Sequence, residues 1–268
     1  MVGHVSCSVL FREFPFDHLE AVSAAVSRVY GVPPFDARTK VRRGWGFLER
    51  DVSQAEAQLV CNALAEQGVA AFVLANETLR QTPAHRVMTG WEPDERGFVP
   101  RLAGPGEQPP LGWNEIEIVA AGAFTEETVR RETAGYEPSP GAQLFGVGLF
   151  LMTGVTSRGL LGGGKKKEEK PVKTSRTIQF GQIVTAGGEC LCFDPENFDF
   201  SGLGARKQVN ASVNFRLLVA DLARSSGART NLGARCVLGN QSVTQAGYQG
   251  VKDFELEMLW LLNTPPAA

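Results

Sequence analysis

Apolar and polar residues alternate at Val5, Cys7, Val9 and Phe11, which predicts an opening strand. After a turn at residues 14–17, where Asp17 can serve as an N-cap, the period changes. Leu19, Val22, Val26, Val29 and Tyr30 recur at helical spacing, and Gly31 ends that helix. Pro34 to Arg43 predicts a short second helix, entered on proline and left on Gly44. Trp45, Phe47 and Leu48 read as a second strand. Ser53 caps a third helix, with Glu56 at the capping-box spacing. That helix runs to Gly68 and hands over to an apolar strand, Val69 to Leu74. The order βααβαβ suffices for one small α+β sandwich over residues 1–76.

Residues 77–112 change character. They are rich in proline, glycine and charge, and read as a linker with at most one short strand. A second domain, residues 113–268, is expected to be strand-rich with late helices. Strands are predicted near Ile116–Val119, Leu144–Met152, Ile178–Phe180, Cys190–Phe193 and Phe198–Phe200. The clearest helix spans residues 209–226, with Phe215, Leu218, Val219 and Leu222 on one face and Gly227 as its stop. Residues 253–263 fit either period, and their Glu, Leu and Met content favours helix. This order of elements also suits a curved sheet closed by the C-terminal helix, as in pleckstrin-homology-like barrels, an analogy of element order alone. Residues 159–173, glycine-led and charged in both signs, read as a mobile loop.

Composition narrows the function. A net charge of −2 gives no electrostatic case for nucleic acid or an anionic membrane. The longest apolar stretch, Leu144 to Val155, is about half of the ~20 residues a spanning helix requires. No secretory signal is read at the start, so a cytoplasmic protein is expected.

The third helix resembles a known family. Ser53, Glu56, Ala57, Leu64, Glu66 and Gly68 stand in the register of the C-terminal domain of the bacterial ribosomal stalk protein. Upstream, Gly31, Val32, Asp36, Ala37, Arg38 and Val41 are similar to that family's glycine, acid-alanine-base and valine pattern. The adaptor of the bacterial Clp protease shares the fold and fits residues 5–74 less well, since its histidine-glycine element has no counterpart here. These positions set architecture. What the resemblance implies is a protein-contacting module. Its candidate partner-binding residues are Arg38, Lys40, Arg42 and Arg43 on the second helix, and the partner would be an acidic protein.

Chemistry is expected to be sparse: no catalytic residue, no cofactor and no metal ligand set is assigned. Gly159 to Lys166 approaches a phosphate-binding loop, but Lys166 stands where Ser or Thr must hold magnesium, and Pro171 cuts short any following helix. The five cysteines, Cys7, Cys61, Cys190, Cys192 and Cys236, are scattered and read as small core residues. Cys190 and Cys192 would share one face of a strand, but C-x-C without a second pair is a poor zinc signal. His18 and His85 are each remote in sequence from any cysteine or second histidine. The leading expectation is a non-enzymatic adaptor or scaffold. The rivals are an enzyme of unrecognised class with its site in the second domain, and a nucleic-acid accessory protein.

Overall fold

The computed structural model describes residues 6–104, 108–131 and 171–265. Met1–Phe124 and Gln179–Ala268 make one compact unit, and Thr125–Ile178 a second. The chain is α+β, as the sequence predicts.

The N-terminal elements follow the βααβαβ order: β1 Ser6–Phe11, α1 Leu19–Tyr30, α2 Pro34–Gly44, β2 Phe47–Ser53, α3 Gln54–Glu66 and β3 Ala71–Ala75. β1 is the middle strand, antiparallel to both neighbours. The caps explain the boundaries. Gly31 ends α1 with φ 62°, a conformation costly for residues with a Cβ. Both bonds of the Ser53–Glu56 capping box are formed. Val9, Phe11, Val26, Val41, Ala57 and Leu64 close the core between sheet and helices.

Residues 77–112 are not a linker. They carry β4 His85–Pro93, β5 Gly97–Leu102 and β6 Leu111–Gly112. Of the residues that suggest a linker, Pro93 and Asp94 sit at the end of β4 and in the turn after it, while Met88, Trp91 and Phe98 point into the core. Four more strands follow: β7 Ile116–Arg131, β8 Pro171–Thr185, β9 Cys190–Phe193 and β10 Arg229–Thr230. They join β4–β6 in a seven-stranded sheet of order β10-β7-β8-β9-β4-β5-β6. Two of its pairs are parallel, β10 with β7 and β4 with β9. Of residues 159–173, only the last three are described, as the start of β8; the strand expected over 144–152 lies outside the described residues. The strand expected near residue 199 is a single bridge to Gly90 followed by a 3-10 turn.

Three helices complete the unit: α4 Ala211–Ser226, α5 Leu232–Leu238 and α6 Val251–Asn263. α4 starts on Asn210, which accepts from two backbone amides, and ends on Gly227. It buries Phe215, Leu218 and Val219 against Ile183, Leu191 and Phe193 of the sheet. α6 lies on the opposite face, where Phe254 meets Phe180 edge-on at 4.7 Å. Trp260 of α6 donates its indole N–H to the Phe11 carbonyl at 2.8 Å, and Tyr248 stacks on Trp45 at 4.6 Å. These contacts tie the N-terminal elements to the large sheet. Among the described residues, no helix is long and apolar enough to cross a membrane.

Glu257 of α6 is buried, bonded to the Tyr248 hydroxyl and accepting from the Leu232 amide at 2.7 Å. Burial pushes its carboxyl up to about 7 from an ordinary 4.5. The folded state therefore holds a proton that the unfolded chain has released. This carboxyl costs no stability below pH 4.5, costs progressively more up to about pH 7, and a constant amount above it. The shift corresponds to about 3 kcal/mol. Glu257→Gln should remove this slope, so its stability relative to the wild type should rise between pH 5 and 8. Urea melts across that range would show it.

Candidate metal centre

The parallel pairing of β4 with β9 has a chemical consequence. It sets His85 directly beside Cys190, and Val87 beside Cys192. On the other side, β8 sets Gln182 beside Cys192. Successive residues of a strand point to opposite faces. Leu191 and Phe193 therefore enter the core under α4, while Cys190 and Cys192 share the face toward α6. The two sulfurs are 4.0 Å apart. One ligand atom from each of His85, Cys190 and Cys192 lies within 4.8 Å of the others. Both cysteines are buried and His85 is exposed, so the cluster runs from the interior toward solvent.

Its electrostatics are those of a thiolate-imidazole site. Cys190 is pulled down to about 6, first by the hydrogen bond with Cys192 and then by His85, against the opposing effect of burial. Cys192 is pushed well up by its bond to Cys190 and by burial, with the Gln182 side chain acting in the opposite direction. His85 is raised, chiefly by its bond to Cys190. The Cys192 thiol and the imidazole thus favour the thiolate form of Cys190, and the second thiol would lose its proton when a cation arrives. Glu255 is near enough to contribute to the charge on His85.

A disulfide fits this strand poorly. At about 3.3 Å per residue, positions two apart on a strand stand about 6.6 Å apart, at the edge of what a disulfide spans. Both cysteines are free thiols. A nucleophilic role fits poorly too, because Cys190 has no exposed surface and reactive thiols are partly open.

A cavity of about 550 Å³ adjoins the cluster. Its wall includes His85 and Gln182, the two side chains that flank the cysteines in register. Arg50 and Lys252 bring positive charge to it, Glu255 brings one negative charge, and Phe254 and Met258 supply apolar wall.

The residues expected to bind a partner lie elsewhere. Arg38 pairs with Glu20 at 2.7 Å, and Lys40 pairs with Glu49 at 2.7 Å while resting over the Tyr30 ring. Arg42 and Arg43 are exposed, and no ion pair involves them among the described residues. The basic face is therefore smaller than its composition suggests. Phe35, on the same helix, is 77% exposed.

Sequence reasoning missed the cluster because each member is unremarkable alone. The C-x-C pair is visible in the sequence, but its third donor comes from β4, whose composition reads as linker. No known protein family, curated protein or solved structure matches this chain.

Proposed function

We propose that this chain is a metalloprotein whose centre is a Cys2His site for a thiophilic divalent ion, zinc above all. The observation that carries it is the convergence of three nitrogen and sulfur donors within 4.8 Å. Two thiolates bound to one tetrahedral zinc at about 2.3 Å would stand about 3.8 Å apart. The sulfurs here stand at 4.0 Å, so the pair needs almost no rearrangement. Soft sulfur with imidazole selects zinc or copper(I) over magnesium or calcium. Three protein donors leave a fourth position, the arrangement of exchangeable sites and not of closed structural ones. Gln182, bonded to Cys192, would hold the second sulfur.

The ion would clip β4 to β9, so it should stabilise the fold. Zinc at 100 times its dissociation constant is expected to add about 2.7 kcal/mol. For a chain of this size that raises Tm by about 5–10 °C. Differential scanning calorimetry with zinc, and again with excess chelator, reads this directly. A Tm indifferent to zinc, with less than one ion retained per chain after dialysis, would reduce the cysteines to core packing.

The docking reading keeps one observation in its favour: α2 presents Arg42, Arg43 and the exposed Phe35. The N-terminal likeness to the stalk-protein domain supports the same reading. Reversing Arg42 and Arg43 to Glu should then abolish a salt-sensitive interaction with an acidic protein, while stability stays within about 0.5 kcal/mol. Affinity capture from native cells, wild type beside variant, is the check, and equal capture removes this surface from the account.

A further inference from the structure

The three-stranded sheet β2-β1-β3 has two edges, and they are built differently. β2 carries Glu49, Arg50 and Asp51, its register with β1 shifts in two places, and Asp51 takes a φ of 59°. Charges and bulges of this kind keep an edge from pairing with another chain. β3 runs Ala71, Phe72, Val73, Leu74, Ala75, with no charge, no proline and no glycine. It is half-buried throughout, whereas β1 beside it is buried from Cys7 to Phe11. The register shows which backbone groups of β3 are free. Arg12 donates its amide to the Ala70 carbonyl at 3.0 Å, so Ala70, Phe72 and Leu74 bond toward β1. In an antiparallel pair the intervening residues turn their N–H and C=O groups the other way. Phe11, opposite Ala71, does so, donating to the Gly46 carbonyl at 2.9 Å on the β2 side. Ala71, Val73 and Ala75 therefore turn their backbone groups outward. The Ala75 carbonyl accepts from the Thr78 hydroxyl at 2.7 Å. Among the described residues, no hydrogen bond reaches the outward groups of Ala71 and Val73.

An open edge of this kind is a template for one more strand. The sequence of β3 selects that strand, because its pattern is the same in both directions: small at Ala71 and Ala75, large at Phe72 and Leu74, with Val73 at the centre. We infer that β3 pairs antiparallel with β3 of a second copy of this chain, about a two-fold axis at Val73. Val73 exchanges both hydrogen bonds with Val73 of the other copy, and Ala71 pairs with Ala75. Phe72 then stands opposite Leu74, so large side chains meet large and small meet small on each face. The pairing is isologous, so it closes at two chains and leaves only the two β2 edges, which are blunted. The contact is short, so a weak, reversible dimer with micromolar dissociation is expected.

Analytical ultracentrifugation of the full chain is the test, with chelator present so that no metal bridges the copies. It should show a monomer–dimer equilibrium. Ala71→Pro removes an outward amide at the first residue of an edge strand, where proline is tolerated and the bonds to β1 stay intact. It should weaken the dimer at least about tenfold. Cross-linking reads the register. In a hydrogen-bonded antiparallel pair the two Val73 Cα atoms would stand about 5.5 Å apart, within the reach of a disulfide. Val73→Cys should therefore give a covalent dimer on oxidation. Ala71→Cys should not, because it faces Ala75 of the other copy. If Ala71→Pro fails to fold, the wild-type equilibrium and the cross-linking pattern still decide. A chain that stays monomeric up to about 1 mM would leave the edge to a strand of another protein and overturn the inference. A dimer indifferent to Ala71→Pro, or equal cross-linking of the two cysteine variants, overturns it as well.

Discussion

Replacing Asn231 with Ala should cost the fold about 3–5 kcal/mol, lowering Tm by about 10 °C or more. Asn231 is completely buried and uses its whole amide. Its Oδ1 accepts from the backbone N–H groups of Ala121 and Ala234, each at 2.9 Å. Its Nδ2 donates to the Ala121 carbonyl at 2.9 Å and the Tyr248 hydroxyl at 2.8 Å. The residue therefore extends the parallel ladder of β10 on β7 by one side chain and caps α5 at the same time. Truncation leaves the Ala121 and Ala234 groups without partners in a dry interior, at about 1–3 kcal/mol each. Gly233, two positions on, has no room for a Cβ against the Ala121 carbonyl, so the segment cannot slide to recover the bonds. Urea denaturation would measure the loss. A loss below 1 kcal/mol would mean that water enters and satisfies the site.

Cys192→Ser should lower zinc affinity by at least about 100-fold. Losing an outer-shell partner typically costs 10–100-fold, and this variant removes a ligand itself. Serine keeps the size and the strand position but is a hard, weakly acidic donor that a zinc-class ion uses poorly. Because Cys192 is a small side chain on a packed strand, the metal-free variant should keep nearly the wild-type Tm. The split between lost affinity and kept stability separates a ligand from a core residue. Competition with a colorimetric chelator gives the affinity. A variant that binds zinc as the wild type does would take Cys192 out of the centre.

Much of the small βααβαβ region was legible because its signals are local. Gly31, the Ser53–Glu56 box and the 3.6-residue period of α1 and α3 act within a few residues of where they are read. The same holds for Gly227 at the end of α4. The strands over 85–112 were not legible. Gly90, Pro93 and Pro100 stand within them and break the apolar alternation, and β4 pairs with the distant β9 as well as with its neighbour in sequence. The candidate centre failed to show for the same reason. Its C-x-C half is a property of one strand, while His85 joins it only through a parallel pairing in a sheet of non-sequential order. Turn chemistry does not encode that pairing; it follows from which faces α4 and α6 cover. The basic helix shows the converse. Four cations were legible on α2, but Glu20 and Glu49, which neutralise two of them, belong to other elements.

X-ray absorption at the zinc edge of the dialysed, zinc-loaded chain reads the Cys2His centre itself. One ion per chain is expected, with two sulfur scatterers at about 2.3 Å and nitrogen at about 2.0 Å. A shell of oxygen and nitrogen alone would contradict it.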